Sequence, residues 1–470
     1  MGVDRSPEAH GIPSRAIRTL VDDLEREGLD PHALVVARHG DVVFEGAWRP
    51  YRLDQPALVY SVSKTFTSLA IGFLEAEGRI ALDDSVGDLL ALPNPNGLTV
   101  RHLLTMNTGH SPAQIERLDF DVRALLSVPP EAEAGTRFAY NSDATYALSC
   151  IVTALTGDRL TDYLRPRLLD PLGIGDRWMK PTRGVEQGFS GFHVTVRDLA
   201  RVGIVLADHG RLGSAQLLPG SYLDELARPW SDTRDPARPA EDDADDWGVG
   251  YGYQVWRNTV GGFRLDGALG QFSVVLPDRG TVIAYQGATH DTGSTLRAFW
   301  RFLDAVVDEP LAEDPESANA LESRVAALDA WDARGSLDGT PDGRIDTVGW
   351  GLGESADGWT LTLPSGHEVA VGADDWARTT LVVDVAPDTG DSVVASPPVA
   401  SGAHVALDAR GERIDGGILV HLVNATSPHR IIVTRRPEGT IDAAWHTAPL
   451  RAADLEALAV PEGVILTDLG

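Results

Sequence analysis

Residues 59–80 read VYSVSKTFTSLAIGFLEAEGRI. The spacing predicts a helix from about Ser63 to Glu77, ended by Gly78, with Ser61 at its N-terminal edge and Lys64 one turn further in. Residues three apart share a helix face, their Cβ atoms about 5–6 Å apart, so the lysine amine can reach the serine hydroxyl. A serine is a weak nucleophile until something accepts its proton. An ammonium with a pKa of about 10.4 cannot do so near neutral pH, but burial and neighbouring positive charge lower that value. Arginine never deprotonates usefully and cannot take this role. The chain has 38 arginines and two lysines, so a lysine at this position is informative. The free N–H groups and positive dipole end of the helix also suit an oxyanion forming at Ser61. Taken alone the motif is weak, because a helix-start serine beside a solvated lysine has the same spelling.

Two further stretches add to it. GTRFAYNSDATYAL (135–148) places Tyr140, Asn141 and Ser142 in a turn just before a helix. A tyrosine beside a lysine cation can have its phenol pKa lowered, which suits a base or proton relay; the alternative is an aromatic staple with a polar N-cap. FRLDGALGQFSVVLP (263–277) puts Gly267 and Gly270 in a strand context. Such glycines mark close approach of a ligand, a bulge or an edge.

Outward from these stretches, SRAIRTLVDDLEREG (14–28) has helical spacing, and ALVVARHGDVVFEGAW (33–48) reads as two strands joined at His39-Gly40-Asp41. Helices fill the middle of the chain; the one starting in TVRDLARVG carries Thr195 as N-cap and Asp198 at the capping-box position. SDTRDPARPAEDDADDW (231–247) reads as an acidic, Pro-rich loop. YGYQVW, GGFRLDG, QFSVVLPD and GTVIAYQG then read as successive strands, and STLRAFWRFLDAVV as a closing helix. The fold class is α+β, with the sheet built from both ends of residues 1–310. Residues 311–335 read as a linker with a helix. Residues 336–470 alternate apolar and polar positions, as in GWTLTLPSGHEVAV, which predicts a separate all-β sandwich or barrel domain.

The chain has 470 residues, is 43% hydrophobic and carries a net charge of −29. Such a surface repels nucleic-acid phosphates and anionic membranes, so neither is an expected partner. The one cysteine, Cys150, lies in an apolar helical pattern and reads as a core thiol. The N-terminal stretch lacks the apolar core of a signal peptide, and no apolar run reaches membrane-spanning length, so a cytoplasmic location is expected. His39, His102, His110 and His193 lack metal-ligand spacing, and no metal or cofactor is expected. GFSGF around Ser190 is not a Gly-x-Ser-x-Gly elbow. Trp247, Tyr251, Tyr253 and Trp256 fit a pocket wall or a core equally well.

Ser61-x-x-Lys64, Tyr140-Asn141-Ser142 and Asp266-Gly267-Ala268, in this order, resemble the motifs of the serine β-lactamase and penicillin-binding-protein superfamily. The pattern is most like the class C-like esterases, D-aminopeptidases and 6-aminohexanoate-dimer hydrolases. RHGDVVFEGAWRPY, TVRHLLTMNTGH, FAYNSDATYALSCIVTALTG, YLRPRLLDPLGI, VTVRDLARVGIVLADHG and GYGYQVW share the likeness, which covers about residues 10 to 308. The resemblance implies a central antiparallel sheet flanked by helices, with an all-helical region beside the site. It implies Ser61 as nucleophile, Lys64 as its activator and Tyr140 as base and later proton donor. It also implies backbone N–H donors at Ser61 and near Leu269 for the oxyanion. Two departures bear on substrate. Ser142 stands where the family usually has asparagine, and Asp266 stands where it usually has a cation. Asp266 would repel a substrate carboxylate unless Arg264 compensates, which leaves neutral esters or amides, or substrates with an amine. The implied function is a serine hydrolase of small molecules or short peptides. β-Lactamase or D-peptidase activity, or a catalytically inactive ligand-binding relative, are the alternatives. D-aminopeptidase-like relatives also bear appended β-barrels.

Overall fold

The computed structural model describes residues 5–234, 245–331, 343–385, 388, 391–450, 455, 458–461 and 464. Most of the acidic stretch expected as a loop, residues 235–244, and part of the linker lie outside the described residues.

The first helix, α1 (Ser14–Arg26), leads into strands β1 (Pro31–Arg38) and β2 (Asp41–Ala47). Three helices frame the region around Ser61: α2 (Ser63–Ala76), α3 (Ser142–Thr156) and α4 (Val196–Ala207). The chain then returns through β3 (Trp256–Arg257), β4 (Phe263–Gly267), β5 (Gln271–Leu276) and β6 (Thr281–Gly287) to α5 (Thr292–Leu303). The six strands form one antiparallel sheet in the order β3-β4-β5-β6-β1-β2. Both ends of the segment contribute because β1 pairs with β6, Leu34 opposite Tyr285.

Alternation along the strands assigns the two faces. Leu34, Val36, Val274 and Ile283 pack with Ile17, Leu20 and Leu24 of α1 and Leu296 and Phe299 of α5. Val35, Ala37, Val275 and Val282 pack on the other face with Phe66 and Leu69 of α2 and Leu199 of α4. β1 is therefore buried along its whole length. Each fully buried Leu, Ile or Phe contributes about 1.5–3 kcal/mol relative to exposure, which fixes the register against a one-residue slip.

Of the stretch 251–256, expected as strand, residues 251–255 are irregular, and only Trp256–Arg257 joins the sheet edge. Gln254 explains the difference. With φ +62°, it turns its side chain inward, donating to the Leu103 and Leu104 carbonyls at 3.1 and 2.8 Å and accepting from Thr145 at 2.7 Å. Those bonds hold the segment on the helical region instead of a strand neighbour.

After α6 (Pro315–Ala326), which packs on α1, a second sheet begins. Its nine strands run between Arg344 and Trp445. Leu361, Val371, Leu407, Val420, Val433 and Trp445 come from strands across this sheet yet share one core, so the sheet curls around its own apolar face. A buried ion pair joins this β domain to the first: Arg430 and His446 each lie 3.0 Å from the Asp30 carboxylate. Burial alone would raise the Asp30 carboxyl, but the Arg430 guanidinium and the hydrogen bond from His446 outweigh it and hold the group well below the usual carboxylate range.

Candidate active site

Ser61 lies on a short 3₁₀ turn, Tyr60–Val62, that runs directly into α2. The turn is held from both sides. The Val59 N–H donates to the Phe192 carbonyl at 3.0 Å, and the Ser63 hydroxyl donates to the Tyr60 carbonyl at 2.6 Å. Gly267 of β4 packs against it so closely that a Cβ there would sit 2.3 Å from the Val59 carbonyl oxygen. The close approach expected at Gly267 is thus made by the chain segment that carries Ser61.

Lys64 is 1% exposed. Its Nζ donates to Ser61 Oγ at 2.9 Å and to the Phe189 carbonyl at 2.9 Å, and sits 4.8 Å from the centre of the Tyr140 ring. Desolvation brings its pKa down to about 7 against an opposing pull from Asp266. A substantial share of the amines is therefore neutral near pH 7, with a lone pair beside the serine hydroxyl.

Tyr140 reaches Ser61 through its hydroxyl. Its ring stacks on Trp256, centroids 5.9 Å apart, and meets Tyr251 edge-on at 6.2 Å. The expectation that a lysine cation lowers this phenol is reversed. Desolvation raises its pKa, the bond to Ser61 offsets only part of that, and Asp266 adds to the rise. Tyr140 is therefore a protonated phenol at neutral pH, a donor rather than a phenolate.

Ser142 opens α3 and lines the cavity at Ser61. Asn141 is fully buried and caps α3, its side chain accepting from the Ala144 N–H at 3.1 Å and donating to Thr108 at 3.2 Å. Asp266 accepts a bond from Arg264 Nε at 2.8 Å. The Arg264 side chain is itself fully buried, bonded to the carbonyls of Arg257 and Asp246 at 2.8 and 3.2 Å. The charge expected to repel a carboxylate is thus compensated inside the protein, and Arg264 is not placed to bind a substrate. Ala268, Leu269 and Gly270 form the turn between β4 and β5. Leu269 has φ +65°, and its carbonyl accepts from the Thr289 N–H at 3.1 Å.

The cavity over Ser61 and Lys64 has a volume of about 430 Å³. Phe120, Trp178 and Phe189 give it an apolar wall. Sequence reasoning missed several of its residues. Lys180, the chain's other lysine, lines it, as do Ser190 of the dismissed GFSGF stretch and Ser427, Leu450 and Ala459 from the β domain. The rarity of lysine was the one signal that pointed at Lys180. Of the aromatic quartet, Tyr251 and Trp256 flank Tyr140, Tyr253 is core, and Trp247 stacks on Arg264, 4.9 Å from its guanidinium carbon.

His110 is structural, bonded to Thr108 at 3.1 Å and to the Val128 carbonyl at 3.0 Å. Cys150 is buried and desolvation pushes its thiol up to about 12, which removes it as a nucleophile. Among the described residues, no group of three or more His, Cys, Asp or Glu side chains is placed to hold a metal ion.

A family model described as Beta-lactamase matches residues 14–308. The chain is 28% identical to Esterase EstB of Burkholderia gladioli over 210 residues, 36% of this chain and 53% of that protein. It thus spans about half the length of that curated relative. A penicillin-binding-protein homologue from Caulobacter crescentus is 20% identical, covering 62% of this chain and 99% of that one, with a TM-score of 0.51. A penicillin-binding-protein homologue from Pyrococcus abyssi is 16% identical over 92% of this chain and 98% of that one, with a TM-score of 0.49.

Proposed function

The chain belongs to the β-lactamase family, and from that premise we propose that it is a serine hydrolase cleaving ester or amide bonds of a small molecule or short peptide through a Ser61 acyl-enzyme. The observation that carries the reading is the 2.9 Å contact between Ser61 Oγ and the buried Lys64 amine, whose pKa lies at about 7.

Lys64 takes the Ser61 proton as Oγ attacks the carbonyl. The N–H groups of Ser61 and Leu269 hold the oxyanion. Tyr140, protonated and bonded to Ser61, gives its proton to the departing alcohol or amine, and the Lys64 ammonium reprotonates it. Water then cleaves the acyl-enzyme by the reverse proton path, which returns Ser61 to its starting state.

An ester is the favoured substrate. The position that usually bears a cation holds Asp266, locked to Arg264, so nothing there draws in the carboxylate of a penicillin. The name of the Burkholderia relative supports the same choice. The −29 net charge supports partners limited to substrate, without nucleic acid or membrane. Among the described residues no helix is long and apolar enough to cross a membrane.

A chromogenic short-chain ester and a chromogenic β-lactam, assayed side by side, test the reading. Turnover of the ester, little of the β-lactam, and loss of activity in Ser61→Ala are expected. The reverse preference makes the protein a β-lactamase. No turnover, with no labelling of Ser61 by an active-serine probe, makes it a ligand-binding relative.

A further inference from the structure

The turn that carries Ser61 is fastened to the β domain. Tyr60 has φ +47°, a left-handed conformation that bulky residues rarely adopt. Its hydroxyl lies 2.6 Å from His429 Nε2, in a buried contact between the two domains. The tautomer is set by the other ring nitrogen. Nδ1 lies 3.0 Å from the Thr447 carbonyl, which can only accept, so Nδ1 carries the proton and Nε2 is a bare acceptor. Tyr60 therefore donates to His429. Burial lowers the His429 pKa to about 4, so the ring is neutral near pH 7 and keeps this arrangement. The Leu450 amide reaches the same tyrosine oxygen from the β domain. Two residues before Tyr60, the Leu58 N–H donates to the Thr426 carbonyl at 2.9 Å.

The other side of the site is tied to the same domain. Thr447 donates through Oγ1 to the Ala288 carbonyl at 2.7 Å. The next residue, Thr289, donates its N–H to the Leu269 carbonyl at 3.1 Å, and Leu269 is held at φ +65°. Ser61 and Leu269 are the two residues whose N–H groups serve the oxyanion in the proposed reaction. His429 and Thr447, which share a hydrogen bond with each other, brace one each.

From this we infer that the β domain is a working part of the hydrolase: His429 and Thr447 are positioning residues that hold the two backbone donors of the oxyanion site at their working separation. The inference rests on the reading of Ser61 as nucleophile. Loss of ester turnover in Ser61→Ala, measured first in the full chain, tests that reading separately. Donors that matter only when the oxyanion forms affect the transition state more than the bound substrate. The test is a double-mutant cycle on Tyr60→Phe and His429→Leu in the full chain, read as kcat, KM and the affinity of phenylboronic acid, which forms a tetrahedral adduct on the serine.

Each single variant is expected to lower kcat about ten-fold or more, with KM changed less than three-fold and boronate affinity falling in parallel. The double variant should be no worse than the poorer single one. His429→Gln, which keeps an acceptor, should recover most of what His429→Leu loses, and Thr447→Val should lower kcat in the same way. Singles that leave kcat within two-fold, effects that multiply in the double variant, or a loss confined to KM would each overturn the inference. Where His429→Leu fails to fold, Tyr60→Phe and His429→Gln decide it alone: an unchanged kcat in Tyr60→Phe counts against it.

Discussion

At the scale of single residues, the proposed chemistry turns on one amine. Lys64 is buried, and desolvation rather than a neighbouring cation lowers its pKa to about 7. The unfolded chain, with an ordinary lysine, binds a proton there that the folded chain does not. The contribution of this group to stability therefore grows less favourable as pH falls from about 10 toward 7. Lys64→Arg keeps the charge but cannot accept a proton, so kcat should fall by about 10²–10⁴-fold, as for loss of a general base, in steady-state ester assays. Asp266 acts in the opposite direction to burial, raising the lysine. Asp266→Asn should move the rising limb of the kcat/KM profile to lower pH. An unmoved limb, or one shifted to higher pH, would show that Asp266 does not raise Lys64. The Ser61–Lys64 contact was legible in the sequence because helix spacing puts the two on one face; Tyr140, far along the chain from both, was placed beside them only by the family resemblance. The direction of the Tyr140 shift was not legible, because desolvation depends on what the rest of the fold stacks around the ring.

At the scale of elements, the site is a helix start pressed onto a strand end. The 3₁₀ turn before α2 meets β4 at Gly267, where even one methyl group has no room. Gly267→Ala should push the turn and the strand apart. Overpacking of this kind costs about 1–3 kcal/mol, visible as a lowered midpoint in thermal unfolding, and the same displacement should reduce kcat. Wild-type values in both measurements would mean that this contact does not set the site. Helices and strands were largely legible: the Thr195–Asp198 capping box forms as written, and β1 and β2 meet at the His39-Gly40-Asp41 turn. The segment at 251–255 was not legible. Its alternating aromatic residues spell a strand, while the bonds that override the pattern come from the Leu103, Leu104 and Thr145 groups far away in sequence.

At the scale of the whole molecule, two sheets share one site. The β domain lines the cavity and sends Arg430 to the buried Asp30. Removing one partner of such a pair leaves an uncompensated buried charge and costs about 3–5 kcal/mol. Arg430→Met should therefore lower the unfolding midpoint strongly in calorimetry. The carboxyl of Asp30 is depressed, so the stabilisation it brings is present above the ordinary carboxylate pKa and is lost as pH falls through its folded value. The Arg430–Asp30 pair was not visible in the sequence, because periodicity reports which face of an element is buried and not which distant residue covers it. The central claim is that a buried Lys64, neutral in a substantial share of molecules near pH 7, activates Ser61. The most direct measurement is the rate at which a chromogenic ester acylates Ser61 as a function of pH, with the adduct located by peptide mass spectrometry. The expected result is an acyl group on Ser61, forming at a rate that rises through a limb near pH 7. An adduct elsewhere, or a rate that climbs only toward about pH 10 as an ordinary lysine would require, would contradict it.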